Sequence, residues 1–457
     1  MYSKDGTIAG PRRESPTMHR LLLAAALTVT ALAVAGCDQG REDPPNVNVL
    51  AVHADPTLGT AIFRRVLANA TSLEFKNSQP FSFDVDTYTF NVDITEPDGT
   101  IARTIRAEHT LEEGNTYIIV LHQAAGESKV SVFGAPADSD AGGGTKLQLL
   151  HTATSLGTVD VYVEPVGFDV LAATPLGRLR NGQILPPTLV SAGSYEIALT
   201  EADNPSNVLF RSQSIAFGGS ENVFLFIPDN NGEGLAPFSI SLGQGPGSDL
   251  VDVDIESGMR VLNAIADRSA IDAGIDLELA PPLIENVPFG TVTDTAVIPA
   301  GDHTVTITPA GNPGVIEDDH EFSVNRGAIG TAFVTGSPGS VSTLFVADDF
   351  RVPSGEAKLR VFLASPANAS VDVFLLPPGT EPDASNVLVT ATDPEATPNG
   401  RLAPGAYELT VRRAGASRVL AGPTAVTIDA DSYYAILLTD RQGGGSGIEV
   451  TLLYDFN

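Results

Sequence analysis

Met259-Arg260-Val261-Leu262-Asn263-Ala264, then Ile271-Asp272, Phe289-Gly290-Thr291-Val292 and Pro299-Ala300-Gly301-Asp302-His303-Thr304-Val305-Thr306-Ile307, form the stretch from which the fold is read. Apolar residues at every second position, closed by a break rich in Pro, Asn or Ser, make a strand and then a turn. The opening of this stretch recurs at Val49, Leu147 and Leu359, roughly every hundred residues. Four copies of one unit therefore follow one another.

A second block recurs in register with the first. Ser191-Ala192-Gly193-Ser194-Tyr195-Glu196-Ile197-Ala198-Leu199 and Ala403-Pro404-Gly405-Ala406-Tyr407-Glu408-Leu409-Thr410-Val411 match residues 299–307, and copy one keeps only Thr87-Tyr88-Thr89-Phe90-Asn91-Val92. Gly in such a turn supplies backbone angles that other residues resist, and the alternation after it gives a strand with one buried face. Each copy then ends in an apolar strand (117–121, 223–227, 329–334, 433–438) and a closing strand (129–133, 238–242, 342–346, 448–454).

A chain of 457 residues is too long for one core. Short strands at this spacing, without a helical pattern beyond the amino-terminal apolar run, predict an all-β chain. We expect a tandem array of four immunoglobulin-like antiparallel β-sandwich domains over residues 47–138, 146–243, 259–348 and 357–457. Little or no helix should occur in them. The junction Asp138-Ser139-Asp140-Ala141-Gly142-Gly143-Gly144 is glycine-rich, which predicts separately folding beads with limited bending.

The amino terminus has its own logic. Met18-His19-Arg20 precedes an apolar run over 21–35, closed by Val34-Ala35-Gly36-Cys37. A basic flank, an apolar segment of this length and small residues before the cut mark an export signal, and the run is short for a membrane span. The small pair followed by Cys resembles the lipobox of bacterial lipoproteins. That resemblance implies cleavage of residues 1–36, a thioether-linked diacylglycerol on Cys37 and acylation of the new amino group. Several acyl chains, at ~0.8 kcal/mol per buried methylene, anchor a protein stably where one does not. Residues 37–46, polar and proline-punctuated, then read as a tether reaching at most ~30 Å. The membrane would be contacted through Cys37, on the periplasmic side of either membrane or at the cell surface.

The formal charge is −30, and removal of residues 1–36 takes away four basic and two acidic residues to leave −32. Nucleic acid and anionic lipid surfaces would repel such a chain. Partners should be neutral, cationic or metal-bridged, with polysaccharide and another envelope protein as the classes left open. A single Cys allows neither a disulfide framework nor a Cys-based zinc site.

No G-x-S-x-G elbow, H-E-x-x-H pair or P-loop occurs, and no cofactor is expected. The one polar residue recurring in register is Asp160, Asp272 and Asp372, with Ile62 in its place in copy one. It reads either as a strand-end carboxylate accepting turn amides or as a ligand contact repeated along the array. His53 and His151 share a position where copies three and four have Asn263 and Leu363, so they read as structural. Asp229-Asn230-Asn231-Gly232-Glu233 packs hard oxygen ligands around a glycine, and Asp249, Asp252, Asp254 and Glu256 crowd the next junction. Calcium is one reading of these carboxylates; a solvated acidic edge is the other.

The repeats resemble a bacterial cell-envelope family, the domain of unknown function 4397. Its pattern is approximately V-x-V-x-H-A-S-P-D-A-P-x-V-D-V-Y-V, then F-G-x-V, then L-P-A-G-x-Y-x-V-x-V. Copy four supplies Ala364-Ser365-Pro366 and Val371-Asp372-Val373-Phe374; copy three supplies Phe289-Gly290-Thr291-Val292 and Pro299-Ala300-Gly301. Copy one departs at Ile62 and lacks the Pro-Ala-Gly turn. The resemblance implies an exported sandwich and brings no activity with it. The sequence reads as a non-enzymatic, lipid-anchored binding or adhesion module, with an envelope spacer as the alternative and a hydrolytic enzyme disfavoured.

Overall fold

Strict alternation buries one face of a strand, whereas a continuous apolar run buries both. Both patterns occur in every copy, and together they set the architecture. A computed structural model describes residues 45–64, 70–137, 144–219, 221–243, 249–441 and 447–454. Residues 1–36, Cys37, most of the tether and the junction 138–143 lie outside the described residues.

Copy three shows the pattern. One sheet holds Ala296–Ile298, Ser257–Asn263, Ile329–Ser337 and Ser340–Asp348 in spatial order; the other holds Ile284–Pro288, Ala270–Ile275, Gly301–Pro309 and Asp318–Val324. Met259, Val261, Ile271, Ala273, Val305, Ile307, Ala332 and Val334 fill the space between them. Each of the other copies repeats the two sheets, so the described residues form eight sheets in four sandwiches. The only helical turn among them is the 3-10 segment Pro366–Asn368. The ladders are antiparallel with one exception per copy: the opening strand pairs in parallel with the penultimate one, as Ser257–Asn263 does with Ile329–Ser337. The chain crosses to the second sheet and back between these two strands, so it returns beside its own beginning in the same direction.

In copies three and four the opening strand has no free face. Every residue of Ser257–Asn263 and Ala357–Ala364 is buried. Alternate residues serve different cores: Met259 and Val261 point into their own sandwich, while Leu262 and Ala264 meet Phe362, Ala364, Tyr433, Ala435 and Leu437 of copy four. The Phe333 and Phe362 rings lie 5.1 Å apart across this seam. Copies one and two pair in the same way, through Val52, Ile118 and Val120 against Leu150, Phe224 and Phe226.

The two pairs also touch one another. Leu235 N–H donates to the Gly327 carbonyl at 2.7 Å, joining copies two and three. Arg401 of copy four donates to Thr60 Oγ1 (2.9 Å) and the Thr95 carbonyl (2.6 Å) of copy one, joining last to first. The sandwiches expected as beads are therefore packed against one another. Apolar faces that would be exposed in an isolated sandwich are buried between copies, and burial of each large apolar side chain is worth about 1.5–3 kcal/mol.

Phe362→Ala, which opens a cavity in the seam and leaves the interior of copy four intact, should lower stability by about 3–5 kcal/mol, read as a shifted urea midpoint of the whole chain. An isolated 357–457 fragment should melt below a 257–457 fragment or self-associate through the uncovered face. Equal midpoints and a monomeric fragment would restore independent beads.

Candidate functional site

Asp160, Asp272 and Asp372 open the second strand of their sandwiches and are buried. Asp160 Oδ2 accepts the Asp203 N–H at 2.9 Å, Asp272 Oδ2 the Gly311 N–H at 2.7 Å and Asp372 Oδ2 the Gly415 N–H at 2.8 Å. These three donors are equivalent: each sits in a hairpin turn with positive φ, 63°, 72° and 66°, where the amide points away from both strands. The second oxygen is also held, by Arg178 Nε in copy two (2.7 Å), Asn286 N–H in copy three (2.7 Å) and Thr390 Oγ1 in copy four (2.6 Å). The hydrogen bonds from Arg178 draw the Asp160 carboxyl below the usual range. The three residues lie one per sandwich and are not brought together.

Copy one shows why Ile62 is tolerated. Its equivalent turn is capped from within, since Asp98 Oδ1 accepts Thr100 N–H at 2.9 Å and Thr100 Oγ1 at 2.7 Å. The buried carboxylate has moved across the ladder to Asp93, directly opposite Ile62, where it accepts Thr104 Oγ1 at 2.5 Å and pairs with Arg64. A compensating change on the neighbouring strand is visible only once the register is known.

The strand-end histidines follow similar logic. His53 Nε2 donates to the Gly59 carbonyl at 2.8 Å and its Nδ1 accepts the Asp55 N–H at 3.3 Å, which fixes the neutral tautomer. In copy three Asn263 does the same work: Nδ2 donates to the Val287 carbonyl at 3.0 Å and Oδ1 accepts the Ile265 N–H at 3.1 Å. His151 Nε2 donates to the Gly157 carbonyl at 3.0 Å. Burial lowers the His53 pKa to about 4, likewise that of His122 to about 4, and lowers His151.

Three carboxylates of the acidic stretches, Asp229, Glu233 and Asp249, are also occupied from within. The Asp229 carboxylate accepts Thr154 N–H (2.6 Å), Thr154 Oγ1 (2.7 Å) and Ser155 N–H (3.1 Å) as well as the Ser155 hydroxyl. Glu233 and Asp249 converge, but on the Lys76 ammonium of copy one, 2.5 Å from each. Among the described residues no three His, Cys, Asp or Glu side chains are grouped to hold a metal ion.

The segment before copy four is a hub. Phe350 N–H donates to the Gly232 carbonyl of copy two (3.2 Å), and Ser354 N–H to the Thr57 carbonyl of copy one (2.8 Å). The Arg351 guanidinium enters copy one, donating to the Pro56 and Leu58 carbonyls at 3.1 Å each and lying 4.8 Å from the Phe75 ring centre. Lys358 grips Asp349 at 2.6 Å and Arg360 grips Asp348 at 2.9 Å; burial lowers the Lys358 pKa and raises that of Asp348.

Between copy one and this segment lies an open polar cleft of ≈ 640 Å³. Thr57, Gln123, Arg103 and Ser128 line it from copy one, and Ser354 and Glu356 from the other side. Nothing in the repeat pattern announces it, because the wall-forming residues come from a turn, three strands and a junction of different copies.

Residues 257–374, copy three and the start of copy four, match the family described as Domain of unknown function (DUF4397). No curated protein matches the chain. Among solved structures, the Bacillus anthracis TIE protein is similar at 12% identity over 86% of this chain and 67% of its own, with a TM-score of 0.15. A candidate cell adhesion protein from Bacteroides fragilis is 6% identical over 90% of this chain and 98% of its own, with a TM-score of 0.15. The pilus adhesin SpaC from Lactobacillus rhamnosus GG is 10% identical over 90% of this chain and 40% of its own, with a TM-score of 0.13.

Asp372→Ala strips two donors of a buried acceptor and should lower stability by about 1–3 kcal/mol in urea unfolding. An unchanged midpoint would return this aspartate to the ligand reading.

The histidines set a pH dependence. The unfolded chain takes up protons below the ordinary value of 6.5, whereas folded His53 and His122 resist until about 4. Their contribution is complete above 6.5 and is lost as pH falls towards 4. Asp348 and Asp393, raised by burial, titrate in the opposite sense, so the test is a difference. His53→Asn, which keeps both hydrogen bonds as Asn263 does, should lose less stability than the parent between about pH 7 and about pH 5. Parallel pH profiles would refute the assignment.

Proposed function

We propose that this protein is a lipid-anchored, non-enzymatic module of the bacterial envelope whose four sandwiches act together to bind a partner outside the membrane. The observation that carries the reading is the contact of first and last copies through Arg401, Thr60 and Thr95. A spacer gains reach by laying its copies end to end; a chain that turns back on itself gives up reach and gains a surface shared between copies. The groups best suited to acid–base chemistry support the non-enzymatic part, since Asp160, Asp272, Asp372, His53 and His151 all hold backbone groups in place. The export signal and Cys37 support the anchor. The charge of −30 favours neutral or cationic partners over nucleic acid.

Two measurements test this. Cys37→Ala should abolish incorporation of a fatty-acid probe and leave the precursor uncut or the protein released, and equal labelling of mutant and parent would remove the anchor. Mild crosslinking of the anchored protein should recover a partner that is lost when copies three and four are replaced by unrelated sandwiches of equal length. Full recovery with the replacement would establish the spacer instead.

A further inference from the structure

We propose that the cleft between copy one and the segment preceding copy four binds a neutral polyhydroxylated segment, a stretch of polysaccharide, and that it exists only when the two copies are docked. This rests on the binding reading above and names its site and ligand class.

The cleft volume of ≈ 640 Å³ falls in the range of small-ligand sites, roughly 300–1,000 Å³. Its polar groups are ordered before any ligand arrives. The Asp55 carboxylate, 0% exposed, only accepts, so the Thr57 hydroxyl 2.7 Å away donates inward to it. The Thr57 oxygen must then accept, and it accepts Gln123 Nε2 at 2.8 Å. This relay decides which end of the Gln123 amide is nitrogen and leaves its oxygen and second N–H for the cleft. An acceptor and a donor side by side match two neighbouring hydroxyls of a sugar, each of which both donates and accepts. Arg103 Nη2 donates to Ser128 Oγ at 3.1 Å, which turns the Ser128 proton towards a second acceptor.

Charge selects among polar ligands. Glu96, Glu127 and Glu356 line the cleft against Arg103, and Glu356 is already paired with Arg401. Anionic polymers are repelled, while carboxylates accept pairs of hydroxyls readily.

Assembly depends on the seam. The Ser354 N–H bond to the Thr57 carbonyl, 2.8 Å, fixes the far wall. Arg401 locks it, and a Cβ at Gly59 would overlap the Arg401 guanidinium. Gly59→Ala therefore displaces the lock without touching Gln123, Arg103 or Ser128.

The experiment uses the full chain in detergent micelles, titrated calorimetrically with neutral glucan and mannan oligosaccharides, a polyuronate, an amino-sugar oligomer and a basic peptide. Neutral oligosaccharides should bind. Gln123→Ala should weaken them about tenfold with an unfolding midpoint close to the parent's, and Gly59→Ala and Arg401→Ala by at least as much, Arg401→Ala with a lowered midpoint because it strands the buried Glu356 carboxylate. Should Gly59→Ala unfold the chain, Ser128→Trp, which fills the cleft from an exposed strand, replaces it with the same expected loss. Neutral binding unaltered by Gln123→Ala and Ser128→Trp would overturn the cleft and leave the binding module standing. Binding of the amino-sugar oligomer, the peptide or the polyuronate alone, or of no probe, would overturn the proposal. The crosslinking result then decides the broader reading separately.

Discussion

The opening strands of copies three and four have no face to offer to water, and much of the assembly follows from that. A sandwich has one interior, and it accommodates alternate residues of Ser257–Asn263 and Ala357–Ala364; the other half, with Leu262 and Phe362 among them, must be covered from outside. The nearest cover is the same face of the neighbouring copy. Domain contacts within a chain are commonly small and polar and permit relative motion. Here they hold fully buried Phe, Tyr and Leu side chains, so motion between paired copies would expose apolar area at about 25 cal/mol per Å².

Apolar cover alone does not say which copy pairs with which, because the four opening faces are alike. Discrimination comes from charge. In a chain of net charge −30 with 26 basic residues, five cations among the described residues, Lys76, Arg260, Arg351, Lys358 and Arg360, are buried. Lys76 crosses from copy one to Glu233 and Asp249, Arg351 from the hub into copy one, and Arg360 of copy four to Asp348. A buried ion pair adds little net stability because desolvation offsets the attraction, but leaving one partner alone costs about 3–5 kcal/mol. Any mispaired arrangement would strand several such groups at once. The Lys76 ammonium thus joins Glu233 and Asp249, one carboxylate from each of the two stretches for which calcium was one reading.

Alternation, turn residues and the hundred-residue recurrence made the sandwiches legible in the sequence, down to the closing strand Ile448–Tyr454. The association of copies was written there too, in a signal of a different kind. Leu359-Arg360-Val361-Phe362-Leu363-Ala364 is more apolar than a half-buried strand requires, and Tyr433-Tyr434-Ala435-Ile436-Leu437-Leu438 alternates hardly at all. What no local pattern contains is which residues of different copies come together. Arg401 and Gly59, or Lys76 and Glu233, are hundreds of positions apart or share no motif. Asp93 standing in for the missing aspartate at Ile62 needed the ladder Ile62↔Asp93 to be seen.

Repetition itself explains why the recurring aspartate looked functional. Tandem copies keep what the fold needs in each copy, and a turn amide at positive φ needs an acceptor every time; Asp160, Asp272 and Asp372 meet that need identically, and copy one, which caps its turn through Asp98, does without. A residue present in every copy is therefore best explained first by the sandwich, and specificity should be sought where copies differ. The cleft satisfies that condition. Gln123 with its Thr57 and Asp55 relay belongs to copy one alone, Ser354 and Glu356 to the one junction that reaches back to it, and Arg401 to copy four. Three unlike contributions meet at one place only because the apolar seams and buried cations fix the four copies in a single arrangement, so in this chain the cleft is a property of the assembly rather than of the repeat.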